Sequence, residues 1–81
     1  MRNLIKRILG IERLDKIVVS MAFKEHPPKE SKMISRENYY IVYHKFKVPI
    51  VITNKYDLID GYTSYLIAKQ LGKKYVKVTR V

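Results

Sequence analysis

The spacing of apolar residues changes repeatedly along this chain, and each change marks an element. Leu4, Ile5, Ile8 and Leu9 fall at i, i+1, i+4 and i+5, one face of a helix, while Arg2, Lys6, Arg7 and Arg13 fill the remainder. This predicts a short amphipathic N-terminal helix within residues 1–13, its regular turns ending near Gly10. Such a helix packs on its own domain more often than on a membrane surface. Ile17, Val18 and Val19 form a β-branched run inside Lys16 to Phe23, which predicts a strand. His26-Pro27-Pro28 then breaks regular structure, because each proline removes a donor and restrains its predecessor, so Glu25 to Met33 reads as a loop.

Ser35, followed three residues later by Asn38, opens a predicted helix with Glu37 in its first turn. Tyr39, Val42, Tyr43 and Phe46 repeat at i, i+3, i+4 and i+7 and form its predicted buried face; Arg36, Tyr40, His44 and Lys47 take the opposite, solvent side. Val48 to Thr53 and Tyr56 to Asp60 are two apolar runs around Asn54-Lys55, a hairpin pattern. Gly61 permits a tight turn into a helix with Tyr65, Ala68 and Leu71 at three-residue steps, joined by Leu66 and Ile67, and Gly72 ends it. Lys74 to Val81 alternates as a last strand, Val76 and Val78 pointing to one face. The predicted order is α, β, α, β, β, α, β.

Composition narrows the chemistry. At 81 residues there is material for one small domain, marginal alone and helped by a partner or by oligomerisation. The absence of cysteine excludes disulfides, thiolate metal sites and cysteine redox steps. His26 and His44 have no second ligand at metal spacing, so no metal or cofactor is expected. No apolar stretch approaches the roughly 18 residues of a membrane span, and the charged N-terminus lacks the continuous apolar core of a signal peptide, which points to a cytoplasmic protein. Seventeen Lys and Arg against seven Asp and Glu leave a net charge of +10, which makes polyanions the natural partners.

Four stretches together resemble the ParB/sulfiredoxin-type domain: Val48-Pro49-Ile50-Val51-Ile52, Tyr56-Asp57-Leu58-Ile59-Asp60-Gly61, Ala68-Lys69-Gln70-Leu71-Gly72 and Tyr75-Val76-Lys77-Val78. That family carries a "P-I-V-V" strand, a "Y-x-L-I-D-G" strand and an "A-A-K-x-L-G" helix at this spacing. The similarity covers residues 14–81, with residues 1–13 as a preceding helix. It implies a small single α+β domain with a mixed sheet of about four strands, two main helices and a short N-terminal helix.

The resemblance also implies a phosphate motif after the Asp-Gly turn, commonly Gly-His-His-Arg or Gly-Glu-Arg-Arg. Here the stretch is Gly61-Tyr62-Thr63-Ser64, with Ser64 where the phosphate-contacting arginine would stand. Asp60, Gly61, Thr63 and Ser64 remain as a residual phosphate site, offering hydroxyls and a helix N-terminus. Sulfiredoxin activity would need a cysteine in this motif, and CTP hydrolysis the missing arginine. Nuclease chemistry would need a carboxylate cluster, whereas Asp57 and Asp60, three apart in a strand, point to opposite faces. No catalytic residue is assigned.

The expectation is therefore a non-enzymatic basic domain that binds DNA or RNA. Its candidate contacts are Arg36, Tyr40, His44 and Lys47 on the helix face, with Lys69, Lys73, Lys74, Lys77 and Arg80 near the C-terminus. Taken singly each is an ordinary solvated side chain; the cluster is what carries the reading. No helix-turn-helix, zinc-finger or basic-zipper pattern is present, so sequence-specific readout is not expected. Two alternatives stand beside it. One is a protein-interaction module, such as a phage or mobile-element factor, for which seven tyrosines supply contact surface. The other is weak nucleotide binding at Gly61 to Ser64.

Overall fold

A computed structural model describes residues 10–81. In chain order it contains β1 (Ile11–Arg13), a 3-10 turn (Leu14–Lys16), α1 (Met21–Glu25), α2 (Glu30–Tyr43), β2 (Ile50–Ile52), β3 (Leu58–Asp60), α3 (Tyr62–Gln70) and β4 (Tyr75–Arg80). The four strands form one mixed sheet in the order β1-β4-β2-β3. The expected α+β domain with a mixed sheet of four strands is what the chain forms.

The second half follows its sequence pattern closely. The β2–β3 hairpin closes around Asn54-Lys55, where the Thr53 hydroxyl accepts the backbone N–H of Lys55 and of Asp57, both at 3.2 Å. Between hairpin and helix, Gly61 sits at φ 85°, and a Cβ there would lie 2.8 Å from the Ile50 Cα. Only glycine lets this turn press against the start of β2. The Ser64 hydroxyl, one turn on, donates to the Val48 carbonyl at 2.6 Å and ties α3 to the segment that leads into β2. At the other end of α3, Gly72 N–H donates to Lys69 carbonyl and Lys73 N–H to Ala68 carbonyl, the paired bonds of a Schellman stop. The chain then enters β4, which pairs parallel with β2 (Ile50 opposite Val78) and antiparallel with β1 (Glu12 opposite Val76).

One face of the sheet is covered. Ile50, Ile52, Leu58, Val76 and Val78 point into a core completed by Leu14, Ile17, Ile67 and Ala68. Arg80 shares that face and pairs with Glu12 of β1, the two side chains only 17% and 8% exposed. On the other face Tyr75, Lys77 and Thr79 are exposed, as strand alternation dictates.

The first half departs from expectation in three places. The N-terminal helix falls mainly on residues 1–9, outside the described residues, but Ile11–Arg13, counted with that helical segment, form an edge strand. The helical spacing stops at Leu9, and Glu12 reaches Arg80 only from an extended backbone. The strand predicted over Lys16 to Phe23 shrinks to one parallel bridge, Val18 with Asp57, and Met21–Glu25 is helical. Leu14 and Ile17, three apart, both enter the core from the 3-10 turn, which uses the apolar run in a turn instead of a strand. Phe23 of α1 then packs on Tyr62 with ring centroids 5.3 Å apart.

The third departure concerns α2, which starts at Glu30, inside the predicted loop, and ends at Tyr43, with His44 in the left-handed region at φ 56°. Its faces follow the prediction only in part. Tyr39 and Phe46 are half-buried and His44 and Lys47 exposed, but Val42 and Tyr43, predicted buried, are 65% and 57% exposed, whereas Arg36 and Tyr40, predicted on the solvent side, are half-buried. Apolar residues occur all round this helix, Ile34 and Ile41 included, so periodicity does not select a face. The contact does: α2 packs on α3, and Tyr40 stacks on Phe46.

Candidate functional site

The exposed face of β4 and the segment that follows α2 enclose a cleft of about 430 Å³. Tyr40, His44, Lys45, Phe46, Lys73 and Lys77 line it, with Tyr75 and Thr79 on the strand wall. Each side chain is delivered by a local device. The left-handed His44, whose N–H donates to the Tyr40 carbonyl at 2.8 Å, reverses the chain at the helix end. Phe46 thereby returns onto Tyr40, ring centroids 4.7 Å apart and planes 29° from parallel. The Schellman stop of α3 sets Lys73 so that its ammonium stands over the Tyr40 ring, 5.0 Å from the centroid. Alternation along β4 turns Lys77 outward into the same space.

No carboxylate lines this cleft. Three lysines and a histidine line it together with a stacked aromatic pair. Such a surface attracts phosphate by charge and planar groups by stacking. Among the described residues no group of three His, Cys, Asp or Glu is placed to hold a metal ion.

Four of the nine candidate contacts, Tyr40, His44, Lys73 and Lys77, thus meet in one place. The others are dispersed. Lys47 is exposed and lies 5.9 Å from the Tyr39 ring; Lys69 and Lys74 line an adjoining groove with Arg13 and Tyr65, which Lys73 also borders. Arg80 is committed to Glu12 on the covered face of the sheet. Lys45 and Phe46 belong to the cleft too, beyond the contacts that charge and helix spacing predict. The run His44-Lys45-Phe46-Lys47, basic residues interleaved with an aromatic, was the available signal.

Arg36 points elsewhere. With Lys32 and His26 it lines a second, smaller cleft of about 270 Å³ against Asp60, Gly61, Tyr62 and Thr63. Within the residual phosphate motif, the Asp60 carboxylate accepts the Gly61 N–H at 2.8 Å, and Ser64 is buried with its hydroxyl donated to Val48. Thr63 and the start of α3 still face the cleft, so the cations nearest to them come from α2 and the loop before it, not from the motif.

No protein-family model matches the chain, and no curated protein matches it. Solved structures do. Two structures of a pNOB8-like ParB N-domain superpose with a TM-score of 0.69 each, at 28% and 30% sequence identity, over 86% of this chain. The chain spans about a quarter of those solved chains, 27% and 25% of their lengths.

Proposed function

We propose that this chain, whose fold is that of a ParB N-domain, is a non-catalytic module that binds nucleic acid in the cytoplasm through the cleft between α2 and β4. One observation carries the reading: Lys45, Lys73 and Lys77 line the same cleft as the Tyr40–Phe46 stack, with no acidic residue among the lining side chains. Lysines neutralise phosphates and release counterions, a term that ignores base sequence. DNA and RNA of mixed sequence therefore bind with similar affinity that falls steeply with salt. Anisotropy titration of labelled oligonucleotides at two salt concentrations, with the wild type and the double variant Lys73→Glu, Lys77→Glu, tests this. Binding that weakens with salt and disappears in the variant supports the reading; no binding at low salt removes it.

A second reading has its own support. Lys32 and Arg36 stand across the smaller cleft from Gly61 and Thr63, so cationic side chains face the place where the resemblance puts nucleotide phosphates. Weak nucleotide binding there predicts a thermal shift with CTP, ATP or GTP and magnesium, lost in Arg36→Ala. A ligand at a hundred times its dissociation constant stabilises by about 2.7 kcal/mol, readily seen in a domain this small. No shift with any of the three nucleotides refutes this reading and leaves the first intact.

A further inference from the structure

We propose that the cleft between α2 and β4 takes an unpaired base, so that the chain prefers single-stranded nucleic acid to duplex; this rests on the nucleic-acid reading above and specifies the form of its ligand. The Tyr40 and Phe46 rings, 4.7 Å apart, form a stacking surface already assembled without ligand. The place over the Tyr40 ring is held by the Lys73 ammonium at 5.0 Å, a cation–π contact that is weak where water reaches it. A base arriving there lies against the ring, and the released Lys73 turns to the phosphate of the same strand. Both halves of the broken contact find new partners. Base–aromatic stacking exceeds an exposed cation–π contact, so the exchange favours the bound state.

A duplex can use only half of this arrangement. Its base faces are covered by their neighbours, and what it presents outward is phosphate and groove edges. Reading a groove takes a protruding helix or ribbon, whereas this surface is concave: the chain folds back at His44 and encloses about 430 Å³, within the roughly 300–1,000 Å³ of small-molecule sites. That space suits a nucleotide, not a double helix. Stacking itself does not select a base, since every base presents a π-face.

The test uses the full chain at one low salt concentration with four labelled ligands of equal length: an oligothymidylate, an oligouridylate, an abasic strand and a duplex. Both base-bearing single strands should bind more tightly than the abasic strand and the duplex by between about fivefold and a hundredfold. Tyr40→Leu should erase that difference while Tyr40→Phe keeps it, with circular dichroism confirming that both variants fold. Equal, salt-sensitive affinity for all four ligands overturns this inference and leaves the phosphate reading standing. A single-strand preference that survives Tyr40→Leu in a folded variant places the base elsewhere and also overturns it. No binding of any ligand overturns both. The abasic comparison needs only the wild type, so the proposal stays testable if Tyr40→Leu does not fold.

Discussion

Removing Lys73 tests whether the cleft, and not the diffuse positive charge of the chain, meets the phosphates. Three lysines line it, Lys45, Lys73 and Lys77. If each neutralises one phosphate, log K falls with log salt at a slope of about −2.7 on duplex DNA, since each contact contributes roughly −0.9. Between 50 and 200 mM salt that amounts to about a fortyfold loss of affinity. Lys73→Gln removes one contact, so the slope should ease to about −1.8 and the loss over the same range to about twelvefold. Lys69→Gln changes net charge equally but lines only the adjoining groove beside Tyr65, which Lys73 also borders, and its slope should stay near that of the wild type. Duplex is the right ligand here because it isolates the phosphate term from stacking. Anisotropy titrations at four salt concentrations give each slope directly. Equal slopes for the two variants would show that binding follows total charge, and the assignment to this cleft would fail.

Three further outcomes follow from the packing. Arg80→Ala leaves Glu12 buried without its partner and should destabilise the fold by about 3–5 kcal/mol in urea unfolding, while Arg80→Met with Glu12→Leu recovers most of it; a loss under about 1 kcal/mol for Arg80→Ala would show the pair to be solvated. Gly61→Ala forces a Cβ against the Ile50 backbone at a positive φ and should lower the melting temperature by several degrees, as a cost of at least about 1–2 kcal/mol does in so small a domain; an unchanged melting temperature refutes the close approach. Ser64→Ala deprives the Val48 carbonyl of its donor and should cost about 1–3 kcal/mol of stability without altering any nucleotide-induced thermal shift; a lost shift at unchanged stability would return Ser64 to the phosphate site.

What the sequence reveals depends on how local the cause is. The β2–β3 hairpin, α3 and β4 were readable because their determinants lie within a few residues: Asn54-Lys55 between two apolar runs, the Gly61 and Gly72 boundaries, and the alternation of Val76 and Val78. Where the cause is distant, the pattern misleads. Whether Tyr40 or Val42 faces inward depends on where α3 and Phe46 stand, and a helix with apolar residues all round offers no local answer. Ile17 to Val19 have strand propensity, yet Leu14 and Ile17 enter the core together from a turn. At the cleft, Lys73 and Lys77 were visible as charge, but their convergence on Tyr40 and Lys45 requires a chain reversal at His44, a non-glycine residue in a left-handed conformation. Arg80 read as one more exposed cation because its partner Glu12 is 68 residues away.

The strand order has a consequence for how the chain comes to be folded. β4 lies between β1 and β2, so the fourth strand in chain order fills the middle of the sheet. At about 5–20 residues per second, β1 waits several seconds on the ribosome before its partner emerges. During that interval the β2–β3 hairpin is the only ladder of the sheet that can assemble, Glu12 has no Arg80 to pair with, and Ile50 and Ile52 have no parallel neighbour. Both remaining ladders, to β1 and to β2, depend on β4. Such contacts are long in sequence, which slows folding relative to a helical chain of equal size. A fault confined to residues 75–80 would therefore leave no folded remnant of the sheet beyond a hairpin.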